Sequence, residues 1–139
     1  MKKLIVLAFI LSSIYGKSQL STNLTVGKTS YSPVGQGELN YQIKELVIQG
    51  TLSSHLDRED PAFVGFRVGY NFQLNKKNTL YFQPLYGYHL VWVTFHNTPS
   101  NYYDFGYGAA LVYKHIKLEV YNINKYEFIG IGIVGLTLK

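Results

Sequence analysis

Between Phe63 and Trp92 the chain switches, residue by residue, between large apolar and small or polar side chains. Val64, Phe66, Val68, Tyr70, Phe72 and Leu74 alternate with Gly65, Arg67, Gly69, Asn71, Gln73 and Asn75. Successive side chains of an extended strand point to opposite sides, so a run of this length specifies a β-strand with one greasy face and one polar or bare face. Lys76-Lys77-Asn78 interrupts it. Leu80, Phe82, Pro84, Tyr86, Tyr88, Leu90 and Trp92 then oppose Thr79, Tyr81, Gln83, Gly87 and His89. Pairing Asn75 with Thr79 across a three-residue loop puts Leu74 and Leu80 on the same face, so register and greasy face agree in one hairpin.

The same alternation recurs on both sides of this hairpin. Leu20, Leu24 and Val26 oppose Ser21, Asn23, Thr25 and Gly27, and Tyr31-Ser32-Pro33 with Gly35 and Gly37 ends the run. Leu39, Tyr41 and Ile43 are apolar before Lys44, but Leu46, Ile48 and Leu52 after Glu45. A slip of one residue turns every side chain over, so a bulge or a two-residue turn stands at Lys44-Glu45. Farther on, Tyr103, Phe105, Tyr107, Ala109, Leu111 and Tyr113 alternate with Asp104, Gly106, Gly108, Ala110 and Val112. Lys114-His115 turns the chain, and Ile116, Leu118 and Val120 oppose Lys117, Glu119 and Tyr121. The last run, Phe128 to Leu138, is apolar on both faces with Gly130, Gly132 and Gly135 inside it, which leaves its faces open.

A turn at Lys44-Glu45 gives eight strands, with connections alternating longer and short; a bulge gives seven. Short turns at one end and longer loops at the other are how an outer-membrane barrel is built. The expected fold is therefore all-β, an eight-stranded antiparallel up-and-down β-barrel of transmembrane type. The exposed loops are expected at Tyr31 to Gln36, His55 to Pro61, His96 to Asn101 and Asn122 to Tyr126.

Composition bears on what the greasy faces touch. Aromatic residues make up 16% of the chain and charged residues only 15%, with 13 Tyr and 13 Gly. Ordinary soluble domains are about 25% charged. Large apolar residues suit the lipid-facing outside of a narrow barrel, and small ones its inside. Val64, Phe66, Val68, Tyr70, Phe72, Leu74, Phe105, Tyr107 and Leu111 are thus expected to face lipid. The competing arrangement, a secreted soluble barrel around an apolar ligand, requires the same faces to point inward.

At the N-terminus, Lys2 and Lys3 precede the apolar stretch Leu4 to Leu11, with Gly16 and Ser18 at the small-residue positions before Gln19. This is the pattern of an export signal, residues 1–18, followed by a single barrel domain, 19–139. The stretch is shorter than the about 20 residues a membrane-spanning helix needs. Three lysines (Lys2, Lys3 and Lys17) belong to the signal, so the chain's formal charge of +5 falls to about +2 beyond it. The remaining lysines sit mainly at turns and form no basic stripe, which argues against nucleic acid as a partner.

The segments Gly65-Phe66-Arg67-Val68-Gly69-Tyr70, Leu80-Tyr81-Phe82-Gln83-Pro84 and Asp104-Phe105-Gly106-Tyr107-Gly108, behind a signal ending before Gln19, resemble the small porin-family, OmpA-like outer-membrane β-barrels of Bacteroidetes. The resemblance spans most of the chain after the signal. The chain departs from the family in being shorter and in ending at Lys139 rather than at an aromatic residue. The resemblance implies residence in the outer membrane, lipid as the surrounding partner and a structural or interaction role, with exposed loops available to a protein partner. It implies no cofactor.

Arg67, His89, Asp104, Lys117 and Glu119, with Glu38, fall on the predicted inner face. An eight-stranded barrel has an interior just filled by side chains, where charges must pair. These residues are accordingly expected to form a structural network, with Arg67 paired to Asp104 or Glu119, and to leave no open pore. His96-Asn97-Thr98 with Ser100 is the nearest approach to an outer-membrane lipid deacylase, a small barrel that uses a His and a Ser near its rim. The expected His-x-Ser is absent, so no catalytic residue is assigned. The chain has no cysteine, and its four histidines are scattered without ligand spacing, so no metal or cofactor site is assigned.

Overall fold

The computed structural model describes residues 18–30, 32–57, 61–95, 98–124 and 126–137. The expected signal, residues 1–18, lies outside them but for its last residue. The strands are β1 (Ser18–Thr29), β2 (Pro33–Ile43), β3 (Leu46–His55), β4 (Pro61–Tyr70), β5 (Phe72–Gln73), β6 (Leu80–Phe95), β7 (Thr98–Tyr113), β8 (Ile116–Ile123) and β9 (Tyr126–Thr137). Each pairs antiparallel with its neighbours. β1 pairs with β9, and β4 with β6, which closes the sheet into an all-β barrel of eight wall strands.

Segments β4 and β5 are one wall strand. Gly69 pairs with Leu85 and Phe72 with Phe82, so the register is the same on both sides of the gap. That register sets Pro84 opposite Tyr70. Proline has no N–H to give the ladder, which interrupts the pairing there. On the strand's other side the β3 register continues through the gap, the Asn71 N–H donating to the Glu45 carbonyl at 2.8 Å. Past the gap, the Asn75 side-chain oxygen accepts the N–H groups of Thr79 and Leu80, at 3.0 and 3.2 Å, and shapes the turn over Lys76-Lys77-Asn78.

Ile43 pairs with Leu46 and Tyr113 with Ile116, so Lys44-Glu45 is a two-residue turn, not a bulge. It forms although neither residue is a favoured turn former. Lys44 adopts φ 54° and Lys114 φ 53°. The left-handed region costs a non-glycine residue roughly 1–2 kcal/mol, which the paired strands on either side offset.

The connection lengths differ from expectation. Only residues 30–32 separate β1 from β2, 96–97 separate β6 from β7, and 124–125 separate β8 from β9, whereas 74–79 lie between β5 and β6 at the supposed short-turn end. The strand count agrees with expectation, but the alternation of long and short connections does not. Of the expected loops, Gln36 is a buried residue inside β2, His55 is buried at the end of β3, and Asn122, Ile123 and Tyr126 belong to β8 and β9. Gly35 and Gly37, read as strand breakers, lie within β2, where they face Ser54 and Leu52.

The large apolar side chains point outward all round the wall: Leu24 and Val26, Leu39, Ile48 and Leu52, Phe66 and Val68, Phe72, Tyr86 and Tyr88, Phe105 and Tyr107, Leu118 and Val120, Ile129 and Ile131. Of the residues expected to face lipid, all are exposed except Val64, which is half-buried. Monomeric soluble proteins rarely expose a contiguous apolar patch beyond a few hundred Å²; here the whole girth is apolar. A soluble barrel around an apolar ligand would turn these faces inward.

The narrow lumen depends on glycine where strands approach closely. A Cβ at Gly87 would fall on the Phe66 carbonyl oxygen and within 2.9 Å of the Arg67 Cα. Gly87→Ala should therefore destabilise the barrel by about 1–3 kcal/mol through overpacking. Urea unfolding in micelles measures this, and an unchanged midpoint would contradict the close approach.

Candidate functional site

Inside the wall the lumen is layered. At mid-height four charged side chains from three strands meet: Glu38 of β2, Arg67 of β4, and Lys117 and Glu119 of β8, all essentially inaccessible to solvent. Lys117 donates to both Glu38 and Glu119, and Arg67 donates to Glu119. Gln36 ties the group together. Its amide nitrogen donates to Glu38 at 2.5 Å, and its oxygen accepts Arg67 Nη2 at 3.2 Å. Asn23 Nδ2 donates to the other Glu38 oxygen at 2.7 Å. Two cations and two carboxylates make the cluster neutral, which is the condition for burying it at tolerable desolvation cost. The period-two spacing that places Lys117 and Glu119 on one face also puts Gln36, Glu38 and Asn40 on one face of β2.

On one side of this layer the lumen is aromatic. The Arg67 guanidinium lies over the Tyr121 ring, 3.8 Å from its centroid, and its Nε donates to His89 Nε2 at 3.2 Å. His89 meets Phe63 edge-on at 5.7 Å, and Phe63 packs likewise on Tyr126 at 5.7 Å and Phe128 at 6.3 Å. With Val34, Ala62, Val91 and Ile123 these rings form a buried apolar core that fills the lumen toward the β1–β2 and β3–β4 connections. At its edge the Ser32 hydroxyl meets His55 Nδ1, and Thr29 Oγ1 accepts the Ser32 N–H at 3.1 Å. A hydroxyl–imidazole pair is the beginning of a nucleophile, but Ser32 and His55 are both buried. The contact straps the β1–β2 connection to the end of β3.

On the other side the lumen opens. A polar cavity of about 230 Å³ faces the Lys44-Glu45 and Lys114-His115 turns, with Lys117 at its floor. Carboxamides supply half of its lining residues. Gln49 donates to Gln83 at 3.5 Å, and Gln83 to Asn71 at 2.7 Å.

The structure brings together four of the five residues expected in the lumen: Arg67, His89, Lys117 and Glu119. Asp104 stands apart. It is half-buried, and its Oδ1 accepts the N–H of the adjacent Phe105 at 2.8 Å, so Arg67 is paired with Glu119 rather than Asp104. Gln36 and Asn23 complete the cluster without having been singled out from the sequence, although both lie on the polar phase of their strands. His96 lies outside the described residues. Ser100 is exposed in β7. Among the described residues no three His, Asp or Glu side chains stand together as metal ligands.

No family model matches the chain. No curated protein is similar to it in sequence. Solved structures do match. The N-terminal β-barrel domain of Pseudomonas aeruginosa OprF aligns with a TM-score of 0.61 over 86% of this chain and 98% of that domain, at 12% identity. The Yersinia pestis outer membrane protein Ail in a phospholipid bilayer nanodisc aligns at TM-score 0.46 and 10% identity, over 84% of this chain and 100% of that one. Neisserial surface protein A aligns at 0.43 and 12% identity, over 84% and 94%. At these identities the likeness concerns the fold, and it rests on the OprF domain: the chain has the fold of a small, eight-stranded outer-membrane-type β-barrel.

Proposed function

We propose that this chain is an exported outer-membrane barrel with a sealed lumen, non-enzymatic, whose role is structural or lies in contacts made at its outer end. The observation that carries the reading is the division of surfaces: apolar side chains cover the girth, and the lumen charges pair with one another. Such a division suits a wall solvated by lipid, where backbone groups are satisfied only by a closed sheet. The sequence resemblance to the porin-family barrels of Bacteroidetes supports the same location. Cell fractionation tests it. The protein should partition with the outer membrane and migrate differently on gels before and after boiling. Recovery as a soluble monomer without detergent would end the proposal.

Contacts with a partner fall to the β6–β7 hairpin. Its strands pair from Leu80–Tyr113 out to Phe95–Thr98, but β4 leaves β6 at Val91 and β8 leaves β7 at Gly106. Trp92–Phe95 and Thr98–Phe105 thus continue past their neighbours as a two-stranded tongue. Stacked Tyr88–Tyr103 and Tyr86–Phe105 rings stiffen its base. An epitope tag between residues 96 and 97 should be stained on intact cells, whereas one at Lys44-Glu45 should require permeabilised cells. The opposite labelling would invert the orientation.

Neither solute nor ion has a path through the aromatic core and charge layer. Reconstituted in planar bilayers, the barrel should be electrically silent. Stable single-channel steps would restore a pore function.

A further inference from the structure

We propose that the open cavity at the turn end is a binding site for a small, neutral, hydroxyl-rich molecule, a single sugar ring or a comparable polyol. Two buried side chains on its wall have unanswered oxygens: Asn40 Oδ1 and Gln49 Oε1 lack a hydrogen-bond partner, although these residues are only 4% and 1% exposed. An unpaired buried acceptor is costly because it has given up water without a replacement, and both groups line the same cavity. Around them stand the carboxamides of Gln42, Asn71 and Gln83.

The chemistry of this lining selects the ligand class. A carboxamide offers a donor and an acceptor side by side. A hydroxyl also donates and accepts, so adjacent hydroxyls match adjacent amides, whereas an ammonium or a carboxylate satisfies only one half of each. Charge points the same way. Lys117 at the floor is already held by Glu38 and Glu119, so the buried cation on the cavity wall is neutralised, while the other lining cation, Lys114, is exposed in its turn with its Nζ 5.5 Å from the Tyr113 ring centroid. Tyr81 supplies a half-exposed ring at the wall for the apolar face of a sugar. Size sets the limit: about 230 Å³ is below the roughly 300–1,000 Å³ of sites for drug-sized ligands, which restricts the occupant to about one ring.

The test uses the folded full-length barrel, ¹⁵N-labelled, in an amine-oxide detergent that has neither sugar nor phosphate in its headgroup. Glucose and inorganic phosphate are titrated separately. Glucose should produce saturable shifts confined to the side-chain amides of Gln49 and Gln83 and the backbone amides of Asn40 and Asn71. Gln49→Leu should weaken binding at least tenfold. Tyr81→Ala, at a half-exposed position that the fold tolerates, should also weaken it, which guards against misfolding of the buried variant. The proposal is overturned if glucose gives no saturable shift and the cavity holds water only. It is also overturned if phosphate alone moves these signals, or if the shifts spread over the outer wall.

Discussion

Replacing Glu119 by Gln should destabilise the barrel by about 3–5 kcal/mol, the largest effect expected of any single substitution in it. The glutamate accepts from both Arg67 and Lys117, and Gln36 Nε2 approaches it at 3.4 Å. Without its charge the layer keeps two buried cations against Glu38 alone, and Arg67 lies 4.0 Å from that carboxylate. Adding Lys117→Met restores the balance as one Arg67–Glu38 pair. The double variant should therefore be more stable than the sum of the singles predicts, by about 0.5–3 kcal/mol, the coupling of residues in one network. Asp104→Asn, outside the network, should stay within about 0.5 kcal/mol of the parent. Urea unfolding in liposomes or micelles, followed by the gel-mobility shift, measures all four. If Glu119→Gln behaves like Asp104→Asn, the charge layer does not hold the lumen together.

Val68→Arg should cost about 2–4 kcal/mol when the barrel is folded in a bilayer, and Leu74→Arg only about 0–1. Both side chains point outward and are exposed. They differ in depth. Val68 neighbours the centre of the wall strand formed by β4 and β5, whereas Leu74 lies beyond its last residue, at the turn. In lipid, a charge is penalised steeply at the midplane and little at the interface. In water neither arginine would matter much, because both are outside the core. Equal and small effects in reconstituted vesicles would mean that the wall is not lipid-solvated, and the membrane reading would fall with them.

Much of this was legible before any fold was known, because period-two alternation assigns a face to each residue locally. From Val64 to Leu74 and from Tyr103 to Tyr113, every second side chain except Ala109 is large and apolar, and the structure exposes that set apart from the half-buried Val64. The phase change at Lys44-Glu45 left seven or eight strands open, and connection lengths pointed to eight for a reason the barrel does not keep, since its connections do not alternate; the Ile43–Leu46 pairing is what makes eight. The glycines at 35 and 37 read as punctuation, yet they serve a strand, and Gln36 and Glu38 between them carry part of the polar layer. The last run gave no face because Phe128 and Ile129 are equally apolar. Pairing decides it: Val26 faces out, so its partner Ile131 does too, and Gly130 and Gly132 turn inward, where a Cβ would strike Thr25.

What the sequence determined by itself was which side of the wall each residue occupies, since that depends only on strand periodicity. What the tertiary structure alone decided was height along the barrel axis. Arg67 pairs with Gly87, which pairs with Gly106, two residues along β7 from Asp104, whereas Glu119 pairs with Ala110, four residues the other way. Counted along the ladder, Asp104 is the nearer carboxylate. The strands tilt, however, so hydrogen-bonded neighbours are staggered relative to the axis, and the stagger accumulates around a closed barrel. That accumulated shear brings Glu119 and Glu38 level with Arg67 and leaves Asp104 to its own backbone, and no local pattern in the chain encodes it.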